Sequence, residues 1–327
     1  MGDGWRKTLR RGLVLALALG VATGAGLAAF GGGASAVGGA LLRVPPGCLA
    51  LAALATALEW ALDAARYVVA GRAVGVALPW RAWLGIALVN LFAAYVANVG
   101  VPVAAFVMAR RGVPAGDALA VTVGKNLFFF PSALLPAWLL LSRASDPVGG
   151  AALHGTLTVL VALSVLQVLS MLAIAAWPAR AEQLATRLPY VGRTDGTRRF
   201  VAGMARFVRG HPALLAASLV TALLNQAAIV AAIAALLAGF GGDALAPGPL
   251  ARCYLFSTLS QVSPTPGGAG LSEAGGVLLF RALLPDAQVA ALVVVARFFC
   301  AGLPMLAGGL LLARALRASS TEAGDPA

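Results

Sequence analysis

Six stretches of this chain stay apolar for about as long as a helix needs to cross a bilayer: residues 12–30, 45–70, 115–141, 152–177, 213–239 and 287–313. A span takes about 20 apolar residues, because each residue advances the helix by only about 1.5 Å. No polar stretch between the runs is long enough to enclose a soluble core. Charged residues make up 11% of the chain, against about 25% in an ordinary soluble domain. The expectation is an all-α polytopic membrane protein forming a single membrane domain over 1–327.

The net charge of +12 would suggest nucleic acid in a soluble protein. Here the arginines gather between the apolar runs, where they orient a membrane protein with its basic loops in the cytoplasm, so no nucleic-acid partner is expected. Arg6, Lys7, Arg10 and Arg11 place the N-terminus inside. Arg66, Arg72 and Arg81 flank an inside turn, and Arg110 with Arg111 mark another. Residues 178–212 form a basic cytoplasmic loop, and Arg314 with Arg317 place the C-terminus inside. Such a loop also attracts anionic lipid headgroups. Within it Phe200, Met204 and Phe207 recur at helical spacing opposite Arg198, Arg199, Arg206 and Arg209. Two readings stay open: a helix lying in the headgroup plane, aromatic face down, or a solvated basic linker. Ala34, Ser35 and Ala36 resemble a signal-peptidase site, but the preceding apolar run exceeds the usual ~7–15 residues, so an uncleaved first span is expected.

This topology leaves 82–109 and 247–284 with no net crossing. The first begins and ends inside, the second outside. Each carries helix breakers near its middle: Asn98, Gly100 and Pro102, then Pro264, Pro266, Gly267, Gly268 and Gly270. Two oppositely oriented re-entrant hairpins, or two pairs of short helices, follow from that. The domain then reads as a first span and external loop (12–44), a first half (45–141), a connecting span (152–177), the basic loop (178–212) and an inverted second half (213–313). Corresponding interrupted segments in two inverted halves point to a transporter's binding site.

Irregular backbone at bilayer depth survives only where protein or a water-filled cavity surrounds it. A charge near the bilayer centre costs ~2.5–3.5 kcal/mol on insertion scales, so each such residue needs a reason. Lys125 and Arg297 each lie about ten residues into their spans, at equivalent places in the two halves. Glu59, Asp63 and Arg66 share a helix face at i, i+4 and i+7. Asn225 and Gln226 interrupt the matching span, and Glu273 follows the second set of breakers. One cavity lined by Glu59, Asp63, Lys125, Asn225, Glu273 and Arg297 would join cations to acceptors and suit a phosphate-bearing headgroup. Asp117 and Arg281 are expected nearer the interfaces, snorkelling. The competing use of the buried cations is internal pairing as interhelical glue.

No motif for metal or cofactor binding appears, and Cys48, Cys253 and Cys300 stand far apart among apolar residues. Only His154 and His211 could serve as histidine bases, both near span ends, so an enzyme is not expected. With no nucleotide-binding loop, any drive must come from an ion gradient, the lipid gradient or a partner.

The string SPTPGGAGLSEAG (263–275), followed by ARFFCAGLP (296–304), resembles the lysylphosphatidylglycerol synthase transmembrane region, also called the flippase-like domain family. The matching positions are Pro264, Pro266, Gly267, Gly268, Gly270, Glu273 and Arg297. The first half fits more loosely through Asn98, Pro102, Arg111, Gly112 and Val113, with Ala104 and Ala105 where members often have glycine-glutamate. The resemblance runs from about Ala50 to Arg314. It implies a translocator in the bacterial inner membrane moving a phospholipid or lipid-linked headgroup between leaflets, with those residues at the substrate. The expectation here is the membrane part alone, without the aminoacyl-transfer domain of some relatives. Alternatives are an ion-coupled exporter of a small amphipathic solute and an integral-membrane transferase or its accessory. Whether the protein works as a homodimer stays open.

Overall fold

Proline sets many of the helix starts. It sits at or just before the first helical position of seven helices, where its missing N–H would have had no partner. In chain order the computed structural model, which describes residues 3–97, 99–144, 150–185, 195–262, 265 and 268–321, contains α1 (Asp3–Phe30), α2 (Ala34–Leu42), α3 (Pro46–Val74), α4 (Trp80–Ala97), α5 (Gly100–Ala109), α6 (Ala115–Lys125) and α7 (Phe129–Leu141). Then come α8 (Gly150–Ala176), α9 (Pro178–Ala185), α10 (Asp195–Arg209), α11 (Pro212–Gly239), α12 (Pro247–Val262), α13 (Leu271–Phe280), α14 (Asp286–Arg297), a π-helical turn (Phe298–Gly302) and α15 (Leu303–Thr321). Among the described residues every regular element is a helix.

Among the described residues five stretches are long and apolar enough to cross a bilayer: Pro46–Val74, Ala115–Leu141, His154–Ala176, Pro212–Gly239 and Asp286–Arg314. A sixth exists if the pair Ala18–Phe30 and Ala34–Leu42 counts as one span, but that pair bends by 87°. The expected external loop after the first span is therefore largely helix α2. Its Val37 and Ala40 are buried, and it packs against α14. Gly32 and Gly33, both at positive φ, make the corner. Residues 82–109 and 247–284 form helix pairs, α4 with α5 and α12 with α13. Each of these helices is shorter than the ~20 residues of a span.

The centre is α3 against α11. Small side chains there (Ala52, Ala55, Ala64, Ala222, Ala228, Ala232) let the backbones approach, which matters where lipid is as apolar as leucine. Helix α4 runs along α15, and α12 along α7. Two apolar cores result. One gathers α11 to α14 around the start of α3; the other gathers the end of α3 with α4, α5, α6 and α10. On α3 the switch from one core to the other falls between Ala55 and Ala64, the stretch that contains Glu59 and Asp63.

Helix α10 corrects both readings of the basic loop. Its apolar face is inside the protein: Met204 and Phe207 are fully buried, and the helix packs on α6. Gly116, Ala120 and Gly124 recur every fourth residue on α6 and form the floor for it. A β-carbon on Gly116 would come within 2.6 Å of the Arg199 β-carbon and 2.9 Å of the Phe200 nitrogen, and one on Gly203 within 2.6 Å of the Ala120 β-carbon. Asp117 does not snorkel. It bonds Arg206 at 2.7 Å and lies 3.8 Å from Arg199, tying α6 to α10. Gly116→Ala should therefore cost about 1–3 kcal/mol by overpacking, measured as a lower melting temperature in detergent. Gly155→Ala, with open space around it, should leave the melting temperature unchanged.

Candidate functional site

The Ala115–Leu141 span is not continuous. Helix α6 ends at Lys125, and three residues, Asn126 to Phe128, precede α7. A helix end leaves carbonyls without intrahelical partners and favours a cation nearby. Both features are used. The Lys125 carbonyl accepts from Arg66 Nη2 at 3.0 Å, and the Lys125 ammonium bonds the Asp63 carboxylate at 2.8 Å. Arg66 Nη1 reaches Asp63 at 3.0 Å and Asn225 Oδ1 at 3.1 Å, while Asn225 Nδ2 donates to the Glu59 carbonyl at 3.0 Å. Lys125 Nζ also stands 4.5 Å from the centre of the Tyr67 ring, close enough for a cation–π contact. Asp63, Arg66, Lys125 and Asn225 are each at most 3% exposed.

Beside this cluster lies a cavity of about 290 Å³. Glu59, Asp63, Arg66, Lys125, Asn225 and Asn126 contribute to its wall, together with Phe129, Phe130, Tyr95 and Gln261. Its size is near the lower limit for ligand pockets, room for a headgroup rather than acyl tails.

Arg297 closes α14 as Lys125 closes α6, and the π-helical turn follows at once. Its Nε bonds Glu273 Oε1 at 3.2 Å, and Glu273 Oε2 accepts from the Gly270 N–H at 2.6 Å, capping α13. Arg297 Nη1 is buried without a partner among the described residues. This pair lines a second cavity of about 290 Å³, walled by Gly20, Thr23, Gly24 and Leu27 of α1 and by Phe298 and Met305.

The single cavity expected from sequence is thus two. Glu59, Asp63, Lys125 and Asn225 come together; Glu273 and Arg297 meet each other elsewhere. The turn at Gly268 separates them: a β-carbon there would lie 2.9 Å from the Ser260 carbonyl and 3.2 Å from Arg297 Nη1. Gly268 and Gly270 adopt φ of +70° and +88°. Neither amide is free: Gly268 N–H donates to the Thr265 carbonyl and Gly270 N–H to Glu273. Pro264, Pro266, Gly267 and Asn98 lie outside the described residues. Arg66, placed from sequence beside an inside turn and on the Glu59–Asp63 face but not among the site residues, is the most connected side chain of the first cluster. Its signal was its place seven residues after Glu59 on one face of α3. Tyr95, Asn126 and Gln261 also escaped notice, since nothing in their neighbourhoods marks depth. Among the described residues no three His, Cys, Asp or Glu side chains gather as a metal site.

Long apolar helices around buried ion pairs and polar cavities define a polytopic α-helical membrane protein. The chain belongs to the lysylphosphatidylglycerol synthase TM region family, which matches residues 13–308. The match begins well before Ala50, so most of α1 and all of α2 are part of the family region. No curated protein matches the chain. Membership connects the protein to membrane-lipid biochemistry.

The ion pairing sets an order of sensitivity. Asp63→Asn leaves two buried cations facing a neutral amide and should cost about 3–5 kcal/mol. Lys125→Gln keeps the Asp63–Arg66 pair and should cost clearly less. Thermal melting of both variants in detergent checks this ranking.

Proposed function

We propose that this protein is a lipid translocator of the bacterial inner membrane, with both termini cytoplasmic, moving a phosphate-bearing or lipid-linked headgroup between leaflets. The observation that carries the reading is the cavity beside Asp63, Arg66 and Lys125. Two cations there converge on a space of headgroup size inside an otherwise apolar body, and guanidinium suits phosphate oxygens. Family membership supports lipid as the substrate class. The headgroup would exchange its contacts with Lys125 for those with Arg297 while its tails stay in lipid. In this reading the chain performs transport, not catalysis.

Two oppositely oriented halves, 45–141 and 213–313, belong to the same proposal, with α4–α5 and α12–α13 as re-entrant hairpins. Its support is a correspondence of packing. Helix α3 meets its counterpart α11, α4 lies on α15 as α12 lies on α7, and a cation ends the helix before each mid-span break. Rocking of such halves would alternate access to a site between them.

A second reading, an ion-coupled exporter of a small amphipathic solute, draws on Glu59, a buried carboxylate on the cavity wall. Reconstitution into vesicles with headgroup-labelled phospholipids distinguishes the two. The wild type should exchange labelled lipid between leaflets faster than protein-free vesicles. Lys125→Gln and Arg297→Gln should each slow it about tenfold or more, as expected for loss of one charge-assisted contact. Exchange of every lipid at the protein-free rate would end the translocator reading, and solute uptake without lipid exchange would favour the exporter.

A further inference from the structure

Glu59 is the one carboxylate of the central cluster that holds no cation. Asp63, one turn further along α3, is bound by both Arg66 and Lys125, whereas Glu59 makes no ion pair within 4.0 Å among the described residues. It is 8% exposed and lines two cavities. One is the large cavity beside Lys125. The other, of about 20 Å³, is bounded by Glu59, Thr56, Tyr95, Ser257, Ser260 and Cys300, among others. That volume has room for a single water, which needs at least two polar partners. The Ser260 hydroxyl, buried with no partner among the described residues, is one, and the Glu59 carboxylate is another.

The groups around Glu59 decide what its charge does. On its own helix stand Asp63 and Arg66. Helix α6 brings Lys125, α4 brings Tyr95, and the π-helical turn brings Cys300. Asn225 and Gln261 face the large cavity as neutral amides. Beyond Ser260, Arg297 is already compensated by Glu273. With Glu59 ionised, the four charged side chains of the cluster cancel. With Glu59 protonated, they leave one positive charge in a buried site. A phosphodiester headgroup carries one negative charge, so only the protonated form lets the loaded cavity stay neutral. In a low-dielectric interior that difference is large.

We propose that Glu59 is a proton-binding site coupled to the headgroup cavity: it takes up one proton when an anionic headgroup enters and gives it up when the headgroup leaves. The proton binds a carboxylate oxygen of Glu59, and no other bond is made or broken. A water in the small cavity, between Glu59 and the Ser260 hydroxyl, is the proton's first carrier. This inference rests on the headgroup reading of the large cavity and adds the coupling ion. By linkage, an anion that binds only the protonated site loses affinity about tenfold per pH unit wherever the empty site is ionised.

Calorimetric titration of the purified protein in detergent tests this, with short-chain phosphatidylglycerol as the probe. Buffers of different ionisation enthalpy report protons taken up per probe bound, over about pH 6 to about pH 9. The wild type should take up approximately one proton per probe wherever the empty site is ionised, with affinity falling about tenfold per pH unit there. Glu59→Gln should take up none and bind with an affinity that no longer changes with pH, while Glu59→Asp restores uptake. Wild-type binding without proton uptake, or equal uptake by Glu59→Gln, would overturn the coupling and leave the headgroup site standing. Failure of the wild type to bind the probe at any pH would sink the headgroup reading and this inference together.

Discussion

The bond network around Asp63 is what the middle of the molecule depends on. A carboxylate there has to be neutralised, and the two cations that do so come from different places: Arg66 from the same helix, Lys125 from a helix broken to deliver it. Arg66 also donates from Nη2 to the Lys125 carbonyl and from Nη1 to Asn225, while its Nε is buried without a partner among the described residues. One residue thereby ties α3, α6 and α11 together at the level where apolar packing is interrupted. Replacing such a network by well-packed hydrophobes is often neutral or stabilising. Apolar packing alone does not call for such a network, and here it stands on the wall of a cavity.

Around that polar level the protein is two apolar bodies sharing α3. Each has a cation at a helix end, a carboxylate opposite it and a cavity alongside. The second body places its charged pair beneath α1, whose Gly20, Thr23 and Gly24 leave space rather than fill it. The first body is braced from its basic face by α10, locked on by glycine contacts and by Asp117. Since α10 packs directly on α6, the helix carrying Lys125 is held at both ends: by Asp117 near its start and by Arg66 at its last carbonyl.

Hydropathy made the spans legible because crossing length is a one-dimensional property, and the lone mid-run charges made Lys125, Arg297, Glu59 and Asp63 stand out. Arg66 was legible as a neighbour of Glu59 and Asp63 on one helix face but was left out of the site, because charge clustering alone cannot tell a helix-end arginine from one turned inward. The aromatic face of α10 was visible as periodicity, but its partner was not. Only the glycine spacing on α6 hinted that protein, not lipid, would cover it. The division into two cavities depends on how closely one loop approaches Ser260, a tertiary distance that spacing does not encode. The corner at Gly32 and Gly33 was hidden because the segment after Phe30 read as an external loop rather than as a second helix.

The π-helical turn at Phe298–Gly302 has a consequence for how this framework tolerates change. Such a turn accommodates one residue more than the α-helical repeat, commonly the mark of an insertion retained at a functional position. Deleting a single residue from Phe298–Gly302 would let the α-helix run through, rotating everything upstream by about 100° against everything downstream. With α15 keyed onto α4 through Gly308 and Gly309, the rotation would fall on Arg297 and swing it off Glu273. The helical phase of the last span, and with it the aim of Arg297, is held by one supernumerary residue.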